Sequence, residues 1–472
     1  MSLEHVNVSP LAPERLMDVL STEEAEDFKR TIARGGELLG QRVVWNVNST
    51  ARGGGVAEML APLLAYTRGA GIDARWVVIT GEPAFFRVTK RIHNMLHGSP
   101  GDGMGLGAAD AAVYTDTAAR NAGELAPLVR GDDIVMLHDP QTAGMIEPIR
   151  ARGAHVVWRC HVGIDTADEH TRDAWKFLLP HVQLADAVVF SRRSYVWPGL
   201  NEARVSVIPP SIDAFAPKNQ SLSPAVVTAI LRAAGAEPGA VGAVPAFVRQ
   251  DGTPGRVDRG VELSGSLPVP GDVPVVTQVS RWDRLKDPAG VLDAFRQTIG
   301  PRSDAHLVLA GPATAAVADD PEGADVLFDI TLRRAGCDTE MRDRIHILSL
   351  PMADLQENAA IVNALQRRAD VVVQKSLAEG FGLTVAEAMW KARPVVASRV
   401  GGIREQIVEG ETGLLVEARD TPAFAEAVLS LLREPSRARA MGKSAHQAVR
   451  ERFLGPRHLR QYVALFERLL AR

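Results

Sequence analysis

Short runs of β-branched and apolar residues alternate along the chain with longer segments whose apolar positions recur at helical spacing. That alternation is the pattern of βα units laid on a parallel sheet. In the first half it predicts strands at 42–48 (RVVWNVN), 73–80, 133–139, 155–161, 187–191 and 205–210. Helical patterns fall between them, such as 56–71 (VAEMLAPLLAYTRGAG), which closes on the glycine expected just past a helix end. The pattern fades over 233–272, a stretch rich in Gly, Ala and Pro, which reads as a loop insertion beside a domain boundary. It restarts with strands at 273–280, 305–311, 344–350, 369–376, 394–398 and 413–417. One architecture is therefore expected twice, over 1–218 and 219–454. The last helix, within 455–472, carries Leu459, Tyr462, Val463, Phe466, Leu469 and Leu470 on one stripe and is expected to bury it back on the first domain.

Composition narrows the class. At 472 residues the chain exceeds what one core usually supports, which agrees with two domains. The net charge is only -4, with both signs mixed along the length, so no nucleic acid or other polyanion is expected as partner. Cys160 and Cys337 lie far apart and form no zinc spacing, which favours a reduced, cytoplasmic setting over a disulfide scaffold. The first twenty residues carry early acids and prolines in place of a basic flank and apolar run. No stretch approaches about 18 consecutive apolar residues. Neither export nor membrane insertion is expected.

Four constellations carry candidate chemistry. In KSLAEGFGLTVAEAMW (375–390), Glu379 follows a predicted strand, and Gly380 and Gly382 permit close approach of the backbone to a ligand. Thr384 and Glu387 have capping-box spacing, a local account of Glu387 that competes with ligand binding at the same helix start. In SRWDRLKD (280–287), Arg281 and Lys286 follow the first strand of the second domain; they are either solvated surface cations or a clamp on a diphosphate. STARGGGVAEML (49–60) places Gly53, Gly54 and Gly55 in a strand-turn-helix, but it matches neither the dinucleotide fingerprint nor the P-loop. Finally, His138, Asp139 and His161 stand at the ends of two predicted strands, where a structural histidine is the plainer account and a shared site the sharper one. No Asp-x-Asp triplet occurs, so a protein-held divalent ion on a nucleotide diphosphate is not expected.

EGFGLTVAEAMW (379–390) together with SRWDRLKD and PVVASRVGGIREQIVEGETGLLV (394–416) resembles the donor-site signature of retaining GT-B glycosyltransferases. WNVNSTARGGGVAEML (45–60), FFRVTKRIHNMLHG (85–98), VMLHDPQTAGMI (135–146), VVWRCHVGID (156–165) and IPPSIDAFAPKN (208–219) are similar to the trehalose glycosyltransferring synthases. The resemblance covers roughly 40–220 and 273–460, and gives 233–272 no role.

It implies an α/β chain of GT-B class, two Rossmann-like parallel-sheet domains facing across a cleft, with the acceptor side in the first and the nucleotide-sugar side in the second. The implied reaction is reversible synthesis of α,α-trehalose from a nucleoside diphosphate glucose, such as ADP-glucose or UDP-glucose, and free glucose. Glu387 would accept from the ribose hydroxyls. Glu379, Gly380, Phe381, Gly382 and Leu383 would hold the donor glucose, and Arg281 and Lys286 would neutralise the diphosphate. His161 would contact the donor glucose; Gly54 and Gly55 would shape the donor pocket, and Asp139 and Asn48 the acceptor pocket. No cofactor is implied, Mg2+ is at most stimulatory, and a homodimer is the assembly the resemblance allows. Transfer with retention and without a covalent intermediate needs leaving-group stabilisation and positioning more than a nucleophile. Three rivals share parts of the pattern: a trehalose phosphorylase using glucose 1-phosphate, a retaining transferase with another acceptor, and a non-catalytic sugar or nucleotide binder.

Overall fold

Alternate residues of the strand Val43–Asn48 enter two different cores. Val43, Trp45 and Val47 join Leu137, Trp158 and Phe190 in one apolar cluster, while Val44 joins Met136 and Val157 in another. Burial on both faces is why such strands read as near-continuous apolar runs. The computed structural model describes residues 3–51, 54–314 and 322–471. It divides into two units, Met1–Ser211 with Phe453–Arg472, and Ile212–Arg452.

The first unit holds β1 (Glu4–Val6), β2 (Val43–Asn48), β3 (Asp73–Val78), β4 (Ile134–His138), β5 (His155–Cys160), β6 (Ala187–Phe190) and β7 (Val205–Val207), in spatial order β1-β3-β2-β4-β5-β6-β7. Neighbours run parallel except for β1, antiparallel to β3. The helix Gly55–Gly69 ends two residues before Gly71, whose φ of 80° supplies the left-handed turn expected there. The terminal helix Gly455–Leu470 inserts Leu465, Phe466 and Leu469 into the cluster around Val44.

The boundary between units falls after Ser211 and not at 218, a correction with a local cause. The segment that follows is tied into the second unit: the buried Asn363 amide donates to Pro217 O at 3.0 Å and Gln220 O at 2.9 Å, and Lys391 Nζ donates to Asn219 Oδ1 at 3.1 Å.

A second correction concerns 233–272. Its backbone forms a hairpin, β8 (Ala246–Val248) with β9 (Pro254–Arg256), and an edge strand, β10 (Glu262–Leu263), antiparallel to β13 (Ile345–Leu350). Phe247, Val257 and Val269 from this segment are buried in the second unit's core. Strands of two or three residues are too short to show a two-residue period, so Gly and Pro dominate their signature.

The second sheet continues through β11 (Val275–Val279), β12 (His306–Pro312), β13, β14 (Val371–Gln374), β15 (Val395–Ser398) and β16 (Leu414–Val416), in order β10-β13-β12-β11-β14-β15-β16. All neighbours except β10 run parallel. In both sheets the strand order reverses direction at one pair, β2 with β4 and β11 with β14. Ligands of open α/β sheets bind beyond the carboxyl ends of such switch-point strands. Most candidate residues lie at or just beyond the carboxyl ends of these four strands, and His161 lies just beyond the neighbouring β5. Among the described residues, no helix is long and apolar enough to cross a membrane.

Candidate active site

Beyond β11, Ser280–Asp283 lead into a short 3-10 turn, Arg284–Lys286, begun by Asp283, whose carboxylate accepts from Leu285 N at 2.7 Å. The turn ends on Asp287 in the left-handed region, φ 49° and ψ 48°. Beyond β14 the chain runs through Lys375, Ser376 and Glu379 to the Gly-Phe-Gly turn and the helix Leu383–Trp390. Leu377 N donates to Leu285 O at 2.7 Å, which ties the two loops together. Their functional groups then meet: Lys286 Nζ lies 2.5 Å from Glu379 Oε2, and Ser376 Oγ donates to the same oxygen at 3.3 Å. Arg281, more exposed, pairs with Asp283 at 3.1 Å. Lys375, almost wholly buried, bonds Asp287 and donates to Ala418 O at 3.1 Å, so an ion pair braces the Lys286 loop from beneath.

The Gly-Phe-Gly turn is held from outside by the segment after β15. Gly402 N donates to Gly380 O at 3.1 Å, and Gln406 Nε2 donates to Phe381 O at 2.5 Å. Gly382 takes φ 87°. Gly402 is required for a different reason, since a Cβ there would sit 2.6 Å from Phe381 Cα.

Glu387 is not part of a capping box. The helix N-cap is Gly382, the first helical residue is Leu383, and no side chain caps the start. The left-handed glycine begins the helix two residues earlier than the Thr384 spacing suggested, which carries Glu387 into the helix interior. Thr384 Oγ1 instead donates to Gln374 Oε1 at 3.3 Å. Glu387 is buried, with Lys218 Nζ 3.7 Å from Oε1. Lys391, one turn on, donates to the Glu387 carbonyl at 3.1 Å. Burial pulls the Lys391 ammonium well down; Glu387 opposes that pull, and Arg367 and Lys218 add to it.

In the first unit, β4 delivers His138 and Asp139, and β5 delivers Arg159 and, just beyond it, His161. Asp139 adopts φ 63°; its Oδ1 accepts from His161 N at 2.7 Å, and its own N donates to Arg159 O at 2.8 Å. Burial pushes the Asp139 carboxyl up to about 7, against the opposing His161 N–H and the Arg159 charge. Arg159 Nε donates to His161 Nε2 at 3.1 Å, and His138 Nδ1 lies 3.1 Å from that same nitrogen. Burial, with Arg159 nearby, lowers His138 to about 3 and His161 well below the usual imidazole range. Both rings are therefore neutral at physiological pH.

Asn48 is committed elsewhere: its Oδ1 accepts from Trp76 Nε1 at 2.8 Å and its Nδ2 donates to Thr50 O at 2.7 Å. These bonds orient the exit of β2. Gly54, φ 86°, precedes the helix whose first residue is Gly55, and a Cβ at Gly54 would meet nothing within 4 Å. Gly53 lies outside the described residues. Sequence reading missed Lys375, Ser376 and Asp287 as members of the second unit's cluster and Arg159 as a member of the first unit's. Residue type does not distinguish a buried lysine or arginine from the solvated ones that outnumber it, although all four lie beside residues that were singled out.

Two parallel α/β sheets with switch-point loops of this composition define a GT-B glycosyltransferase. Residues 46–197 match the family described as trehalose synthase, N-terminal domain, and residues 262–448 match glycosyl transferases group 1. The chain is 38% identical to a trehalose synthase of Rubrobacter xylanophilus, over 92% of both chains, and 37% identical to one of Thermococcus litoralis, over 89% of both. It belongs to the trehalose synthase family. Among solved structures, that of trehalose-6-phosphate from E. coli bound with UDP-2-fluoro glucose superposes with a TM-score of 0.65 at 15% identity, covering 90% of this chain and 99% of that one. At that identity the likeness is one of fold.

Proposed function

We propose that the protein is a retaining glucosyltransferase that makes α,α-trehalose reversibly from a nucleoside diphosphate glucose and free glucose. The observation that carries this reading is the meeting of Lys286 and Glu379 at 2.5 Å, with Arg281 on the same loop, beyond switch-point strands of a family member's sheet. Lys286 and Arg281 neutralise the diphosphate as its charge grows in the transition state. Glu379 and the amides of Gly380, Phe381, Gly382 and Leu383 hold the glucose hydroxyls, and Glu387 accepts from the ribose. From the first unit, His161 and Asp139 engage sugar hydroxyls, while Asn48 acts through the loop that it orients.

The anomeric hydroxyl of the acceptor glucose attacks the donor anomeric carbon on the face that the diphosphate is leaving. The carbon–oxygen bond to phosphate breaks, the new glycosidic bond forms, and the hydroxyl proton passes to the departing phosphate oxygen. The products are trehalose and a nucleoside diphosphate. Leaving-group charge falls to protein cations, in keeping with a sequence that has no Asp-x-Asp triplet. Incubation with nucleotide-[13C]glucose and glucose, followed by NMR of the product anomeric carbons, tests the reading: α,α-trehalose supports it, and a β linkage or no transfer refutes it.

A further inference from the structure

Arg159 is fully buried at the end of β5, and its three nitrogens have different surroundings. Nη2 donates to Ile208 O at 3.0 Å, the guanidinium lies 5.6 Å from the centre of the Tyr462 ring, and Nη1 meets no hydrogen-bond partner among the described residues. Nε donates to His161 Nε2. A guanidinium never accepts, so this bond makes Nε2 the bare nitrogen of His161 and leaves the ring proton on Nδ1. His138 Nδ1, 3.1 Å from His161 Nε2, is attractive only as a donor; its Nε2 faces Asn46 Oδ1 at 3.1 Å, and a half-turn of the Asn46 amide, which exchanges that oxygen for NH2, makes this contact the matching bond. The His161 backbone is fixed separately by its N–H to Asp139. His161 Nδ1 has no partner among the described residues, and the residue is only partly buried.

We propose that Arg159 and His138 are positioning residues that lock His161 in its Nδ1–H form, so that the ring offers one hydrogen-bond donor to an acceptor oxygen of the bound sugar. The sugar half of this assignment rests on the proposed function; the tautomer half does not. A histidine free to exchange tautomers presents a donor only part of the time, whereas a locked one binds a hydroxyl oxygen without reorganising.

The test is 15N NMR of the full chain labelled at its histidine rings, with His161 assigned by comparison with His161→Gln. A proton on Nδ1, a bare Nε2 and no imidazolium from pH 8 to 5.5 are expected. A proton on Nε2, or averaging of the two forms, overturns the assignment, and this result needs no variant at Arg159 to fold. In kinetics, His138→Phe should lower kcat/KM for the nucleotide sugar by roughly tenfold, about one hydrogen bond. His138→Gln, whose amide still donates, should restore most of that loss. Wild-type transfer by His161→Phe, which removes the donor, with Nδ1–H intact in the parent, would overturn the sugar contact.

Discussion

Lys286 and Glu379 sit 93 residues apart in sequence and 2.5 Å apart in space, so the cation assigned to the diphosphate and the acid assigned to glucose are one ion pair in the ligand-free chain. Both side chains are largely withdrawn from solvent, with relative exposures of 19% and 10%. Binding of a diphosphate would bring the ammonium a second anionic partner. The pair holds both groups ready at low conformational cost.

Removing one partner leaves the other shielded and uncompensated. Lys286→Met should therefore lower both kcat and donor affinity, and cost about 1–3 kcal/mol of stability. The double variant Lys286→Met/Glu379→Gln should lose less stability than the sum of the single variants. Urea denaturation of the four proteins gives the coupling, and strict additivity would mean that the pair has no energetic content.

The position of Glu387 inside its helix separates two accounts, of which the local sequence favoured the helix cap. With Gly382 as N-cap, Thr384→Ala should cost well under the ~1 kcal/mol of a lost cap. Glu387→Gln should raise the donor KM severalfold while the melting temperature moves little. Normal donor binding with a large stability loss would return Glu387 to a structural role.

Gly402→Ala tests the wall behind the Gly-Phe-Gly turn. The added Cβ would lie 2.6 Å from Phe381 Cα and 2.9 Å from Gly380 O, so the turn must move. A rise in donor KM is expected from a residue assigned no contact with the donor. An unchanged KM in a folded variant would show that the turn's amides do not bind the sugar.

The strands of both sheets were legible because they are covered on both faces and read as apolar runs; Val275–Val279 and Val371–Gln374 are examples buried throughout. The loops that leave them carried the candidate acids and bases, and Lys286 and Glu379 do come together. Three things were not legible. The hairpin at 246–256 is built from strands too short for a period. The helix start at Leu383 depends on Gly382 being left-handed, a backbone choice that competes with the capping-box spacing and wins. The commitment of Asn48 to Trp76 depends on which strands are neighbours, and strand order is not written in any local window.

Acid should destabilise the first unit through its buried histidines. His138 falls from 6.5 to about 3 on folding, and His161 and His458 also shift downward, chiefly through burial. Their contribution is complete above pH 6.5 and is lost as pH falls toward the folded values, because the unfolded chain takes up protons that the fold refuses. Asp139 acts in the opposite sense: raised from 3.8 to about 7, its contribution is present below 3.8 and lost as pH rises through 7. Three histidines outweigh one carboxyl, so stability should climb between pH 4 and 6.5. His138→Gln should flatten that climb by at most about 1.4 kcal/mol per pH unit; an unchanged slope in thermal melts would mean that His138 is not held neutral.

The central claim is glucose transfer from a nucleotide to glucose, and the reverse reaction tests it most directly. With trehalose as substrate, the protein is offered a panel of nucleoside diphosphates in one set of reactions and inorganic phosphate in another. Formation of nucleoside diphosphate glucose together with free glucose, and none of it by Lys286→Met, is the predicted result. Glucose 1-phosphate formed from phosphate, with no nucleotide sugar from any diphosphate, would contradict it.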